Sequence, residues 1–83
     1  TSLSVYPNPT SGVLNVSFGA GADEKYTFKV MDVLGNMLID EQYVAKSGDN
    51  LEQLNLKHIA NGIYFLRVEK EGAEIKTMRI VVQ

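Results

Sequence analysis

The chain has 83 residues, a length for one domain and not two, so residues 1–83 are expected to form a single unit. Hydrophobic residues make up 45% and charged residues 22%, a globular balance, and a net charge of −2 with scattered Lys and Arg argues against a nucleic-acid partner. The absence of cysteine excludes disulfides, thiolate metal sites and a Cys nucleophile.

No apolar run reaches the length of a transmembrane helix, and no signal peptide is present. With no initiator Met and a strand-like final segment, the chain is expected to be a piece from the C-terminus of something larger.

The dominant period along the chain is two, the mark of strands with one face toward a core. A first short strand near residues 3–6 runs into Pro7-Asn8-Pro9. Neither proline has an N–H for a ladder, so this strand must stop there or lie at an edge. Each proline pushes its predecessor toward extended geometry, and Asn8 and Thr10 can fold their side chains back on the backbone. Gly12 can take a positive φ, which makes the segment a stiff corner between strands.

The second strand, near residues 12–18, alternates Leu14, Val16 and Phe18 with Asn15 and Ser17. "GAG" at Gly19–Gly21 lacks the third glycine and following helix of a phosphate-binding fingerprint and is expected to be a loop. The third strand, near 25–32, alternates Tyr26, Phe28 and Val30 with Thr27 and Lys29, and Gly35-Asn36 turns it into a fourth near 37–44. Gly48-Asp49-Asn50 leads to a fifth near 50–56. Leu54–Ala60 has room for one helical turn and nothing longer. Asn61-Gly62 opens the sixth strand, near 62–70, where Ile63 and Phe65 are apolar as well as Tyr64, Leu66 and Val68. A strand apolar on both faces is central, or has an outer face that meets a partner. Gly72 precedes a seventh, near 74–82, with Met78, Ile80 and Val82 toward the core. About seven short strands at this spacing predict an all-β fold, an Ig-like antiparallel β-sandwich.

Chemistry finds little to work with. His58 is the single histidine, sits in a polar loop, and cannot make a zinc site with Cys or a second His. Ser2, Ser4, Ser11, Ser17 and Ser47 stand in no nucleophile-elbow pattern, so no catalytic residue is assigned. The carboxylates are dispersed and suit solvated faces and strand edges. Ser47–Asn50 and Asp23-Glu24 offer oxygen to calcium but match no calcium loop, so no metal or cofactor is assigned. Tyr64, just after Asn61-Gly62, is placed to bury its ring and bond its hydroxyl to nearby backbone, a tyrosine corner. Tyr6, Tyr43 and Phe65 are the alternative aromatics for stacking on a sugar, though there is no Trp.

Three segments in order, "VYPNPTSGVLNV" (Val5–Val16), "YTFKVMDVLGNML" (Tyr26–Leu38) and "LNLKHIANGIYFLRVE" (Leu54–Glu69), with the closing "KTMRIVVQ" (Lys76–Gln83), resemble the C-terminal sorting domain of the type IX (Por) secretion system of Bacteroidetes-type bacteria. The resemblance implies a small Ig-like sandwich at the end of a cargo protein that enters the periplasm by a separate signal. It implies recognition by an outer-membrane translocon and its shuttle protein. A sortase-like peptidase would then remove the domain at the cell surface, leaving the cargo anchored to lipopolysaccharide or released. Gly12, Gly35, Asn61, Gly62 and Tyr64 are the expected structural positions.

Partner recognition is expected at Pro7, Asn8 and Pro9 and along the last strand at Lys76, Arg79, Val81 and Val82. There an unpaired strand edge can accept a partner strand, and Lys76 and Arg79 are expected off the Met78/Ile80/Val82 face. Deleting Ile80–Gln83 is expected to stop surface delivery. Two other classes compete: a carbohydrate- or cell-surface-binding sandwich, which would show an exposed aromatic platform, and a small hydrolase, which the lone His and missing Cys disfavour.

Overall fold

In the computed structural model, which describes residues 3–83, the described residues form seven strands and no helix. They are β1 (Leu3–Tyr6), β2 (Val13–Ala20), β3 (Glu24–Asp32), β4 (Met37–Ala45), β5 (Gly48–Asn55), β6 (Gly62–Lys70) and β7 (Ala73–Val82). All pair antiparallel, in a three-stranded sheet of order β1-β2-β5 and a four-stranded sheet of order β4-β3-β6-β7. The β1 strand stops at Tyr6, before the prolines, and lies at an edge, and the two-sided β6 is central, between β3 and β7.

The sheets face each other through their alternating apolar positions. Leu14, Val16, Phe18 and Leu54 meet Phe28, Val30, Leu66, Val68 and Ile80 in one buried core. Phe18 of the smaller sheet inserts among Tyr26, Phe28 and Tyr43 of the larger, with ring centroids 4.6, 5.8 and 5.7 Å away in tilted and edge-on arrangements. Such pairs add about 0.5–1.5 kcal/mol each beyond the area they bury.

The chain crosses from one sheet to the other between β4 and β5, and a buried Asn50 holds the crossing. Its Oδ1 accepts from the Lys46 N–H (2.9 Å) and the Tyr43 hydroxyl (3.2 Å), and its Nδ2 donates to the Lys46 and Gly48 carbonyls (2.8 and 3.0 Å). This uses the whole amide, which is what a buried Asn requires. Beyond β5, the Ile59 N–H donates to the Leu56 carbonyl at 3.0 Å, closing one turn before β6.

The β3–β4 turn is closed by Asp32. Its carboxylate accepts from the Leu34 and Asn36 backbone N–H groups and from the Asn36 side-chain amide, each at 2.9 Å. Gly35 has a φ of +88°, which a side chain would resist, and donates its N–H to the Asp32 carbonyl at 3.0 Å.

Candidate interaction surface

The corner after β1 is built from side chains that act on backbone. Tyr6–Pro7 and Asn8–Pro9 are both cis, and Pro7, Asn8 and Pro9 are exposed. The Asn8 side chain leaves its own loop and pairs with β7. Its Nδ2 donates to the Arg79 carbonyl at 3.0 Å, and its Oδ1 accepts from the Val81 N–H at 3.0 Å. An amide used this way imitates one residue of a neighbouring strand. Two residues on, the Thr10 N–H donates to the Val81 carbonyl (2.8 Å) and the Gln83 N–H to the Thr10 carbonyl (2.9 Å), a parallel bridge.

Thr10 itself is buried, and its hydroxyl does fold back locally. It donates to the Val13 carbonyl (2.6 Å) and accepts from the Gly12 N–H (3.1 Å). Gly12, with φ +151°, lies against Lys57, and a Cβ there would meet Lys57 Cγ at 2.8 Å. The Gly12 carbonyl accepts from the Leu56 N–H at 2.7 Å, which joins the corner to the end of β5. The corner therefore ties the three-stranded sheet to the edge of the four-stranded one.

This arrangement gathers some of the sequence-selected residues and separates others. Pro7, Asn8, Pro9, Arg79 and Val81 meet at one junction through the Asn8–β7 pairing. Val82 is 4% exposed and part of the core, so only its backbone is open to a partner of the folded domain. Lys76 pairs with Val68 in register and shares the inward side of β7 with Met78, Ile80 and Val82, contrary to expectation. No bulge intervenes between Lys76 and Val82, so strand alternation keeps all four on one side. It is nevertheless exposed, because it lies at the rim, beside Leu3 and Lys70.

The β7 edge is a second correction. Asn8 and Thr10 fill outward hydrogen-bonding positions at Arg79, Val81 and Gln83, so an added strand needs the corner to leave that stretch. Both side chains bond backbone, Thr10 within its own loop and Asn8 across to β7.

At the other end of β6, Asn61 and Gly62 precede Tyr64, whose hydroxyl donates to the Ala60 carbonyl at 2.6 Å, the expected tyrosine corner. A shallow depression of about 350 Å³ lies there, lined by Asp32, Leu38, His58, Ile59, Ala60 and Tyr64. Asp32 is held below its ordinary value of 3.8, first by the Asn36 side-chain amide and then by backbone N–H groups of the turn. Its carboxylate is thus occupied in closing the loop.

The other candidates do not assemble. Tyr43 packs into the core aromatic cluster, and Tyr6 and Phe65 sit on different sheets. The Ser47 N–H donates to Asp23 Oδ1 at 3.1 Å, which brings the two calcium-candidate segments together. Among the described residues, however, no group of three or more His, Cys, Asp or Glu could hold a metal ion. Among the described residues, no helix is long and apolar enough to cross a membrane.

The outer face of the four-stranded sheet divides into two halves. In one, Glu69 is buried to 7% exposure and paired with Lys29 (3.2 Å) and Arg67 (2.8 Å), and Arg67 also approaches Glu74 (3.6 Å). In the other, cross-strand register lines up Met37, Met31, Phe65 and Arg79 across all four strands, with Ile63 opposite Val81 beside them. Ile63 and Met37 are 45% and 47% exposed. The two-sided apolar pattern of β6 is local, whereas the register that aligns this strip depends on distant strands.

The described residues thus form a seven-strand sandwich whose proline corner is clasped to its last strand. The chain belongs to the secretion system C-terminal sorting domain family, whose model matches residues 4–83. This is the sorting domain of type IX secretion, a signal that directs export toward the cell surface or the medium. Among curated proteins, none matches the chain.

Proposed function

We propose that this domain is a non-catalytic folded address. It hands an attached cargo protein to the type IX outer-membrane translocon and its shuttle protein, and a sortase-like peptidase then removes it at the surface. The observation that carries this reading is the Asn8 clasp. It sets the Pro7–Pro9 corner and β7, segments more than seventy residues apart in the chain, into one junction on a family-matched fold.

The mechanism follows from the chemistry of that junction. A reader of a folded label needs a stable shape that an unfolded chain lacks. Here the shape depends on long-range pairs, Asn8 with β7 and Thr10 with Val81 and Gln83, so it exists only once both sheets are packed. Recognition of this junction would therefore also report that folding is complete.

The test fuses residues 1–83 to a fluorescent protein carrying a periplasmic signal and expresses it with and without a type IX translocon. Translocon-dependent fluorescence at the cell surface supports the address; fluorescence confined to the periplasm in both strains refutes it. Deleting Ile80–Gln83 is a blunter probe than sequence suggested, because it also removes Ile80 and Val82 from the core.

A further inference from the structure

Resting on the address reading, we propose that the strip Met37–Met31–Phe65–Arg79, with Ile63 and Val81 beside it, docks an apolar protein surface that carries a carboxylate. Met37 and Ile63 are exposed and Met31, Phe65 and Val81 half-buried, and apolar side chains grouped in this way, rather than scattered singly, mark an interaction site. The strip is not a random scatter: register places its members in adjacent rows on one face of the sheet, with an irregularity at Val30/Met31 where β3 meets β4.

Charge names the occupant. In the neighbouring half of the face, Glu69 and Glu74 are already engaged by Lys29 and Arg67. Arg79 ends the apolar row and has no ion pair among the described residues. An apolar partner covering the row would desolvate that guanidinium, which is unfavourable unless the partner brings an acceptor. A carboxylate is the geometric match for a guanidinium.

Other occupants fit less well. An anionic lipid surface would meet a chain of net charge −2 with one unpaired cation on the strip. A second copy would bring its own Arg79 to a face whose central carboxylates are neutralised. A sugar would find one aromatic ring, Phe65.

The experiment uses the fluorescent fusion in translocon-competent cells, with thermal midpoints of the purified 83-residue domains as a control for folding. Ile63→Asp and Arg79→Glu are each expected to reduce surface delivery by about tenfold or more, as loss of a central contact does. Arg79→Lys keeps the charge but loses the guanidinium's fork, and its delivery is expected to fall between wild type and Arg79→Glu. Leu51→Asp, at an exposed apolar position on the other sheet, is the control and is expected to leave delivery unchanged.

Failure of the wild-type fusion to reach the surface would overturn the address reading and this proposal with it. Normal wild-type delivery with both strip variants also delivered normally would overturn the strip alone. Loss confined to Ile63→Asp would keep an apolar contact and overturn the carboxylate. A dimer in sedimentation equilibrium that Ile63→Asp dissolves, or flotation with phosphatidylglycerol vesicles that Arg79→Glu abolishes, would assign the strip to a second copy or to lipid instead.

Discussion

Two turns in this molecule use the same chemistry for opposite ends. After β3, Asp32 folds its carboxylate onto Leu34 and Asn36, two and four residues away, and the loop is complete in itself. After β1, Asn8 sends its amide to Arg79 and Val81, more than seventy residues away, and the loop is complete only when the sandwich is. The first turn shapes a hairpin tip; the second joins two sheets. Side chains of the same shape thus serve local closure or tertiary assembly, according to whether the partner lies within a few residues or across the fold.

That difference decides what breaks each turn. The largest effect is expected at Thr10, the buried pivot of the long-range corner. Thr10→Val keeps the shape but strands the buried Gly12 N–H and should lower stability by about 2–3 kcal/mol in urea denaturation. Asn8→Ala should follow at about 1–2 kcal/mol, because its two bonds are partly open to water. Equal effects of Asn8→Ala and a distant surface substitution would dissolve the contrast between the two turns.

The two tyrosines at buried positions give a smaller, sharper pair. The Tyr64 hydroxyl bonds the Ala60 carbonyl, whereas the Tyr26 hydroxyl is buried with no partner. Tyr64→Phe should therefore lower stability by about 1 kcal/mol, while Tyr26→Phe should be neutral or stabilising. The same denaturation midpoints check both, and a loss at Tyr26→Phe would show a bond there that the geometry does not contain.

The smallest effect belongs to Asp32. Its folded value lies below 3.8, so its contribution is fully present above that pH and is lost as pH falls through the lower folded value. Protection of the Leu34 and Asn36 amides, relative to their intrinsic exchange at each pH, should fall on acidification through that window, while protection at Val81 is unaffected by the titration of this group. Synchronous opening of both turns would mean they are coupled.

How much of this was legible in the sequence follows the same division. Period-two alternation and Gly, Asn and Pro punctuation are local, and they placed all seven strands and the Tyr64 corner; they left β1 as a strand that stops or lies at an edge and β6 as central or partner-facing, and they ended β2 too early, since Gly19 and Ala20, expected in a loop, pair with Asp49 and Gly48 of β5. The Asn8 partner, the Asn50 crossing and the burial of Glu69 depend on register between distant strands, and nothing local encodes it. Lys76 is different. Its parity with Met78 was already readable, and counting by two would have put it on the inward side.

The junction itself can be probed most directly in an Asn8→Ala fusion, by following amide exchange at Val81 together with translocon-dependent surface delivery. Faster exchange at Val81 with a parallel fall in delivery is the expected result. Freed Val81 exchange with undiminished delivery would contradict the claim that the clasped corner and β7 are read as one surface.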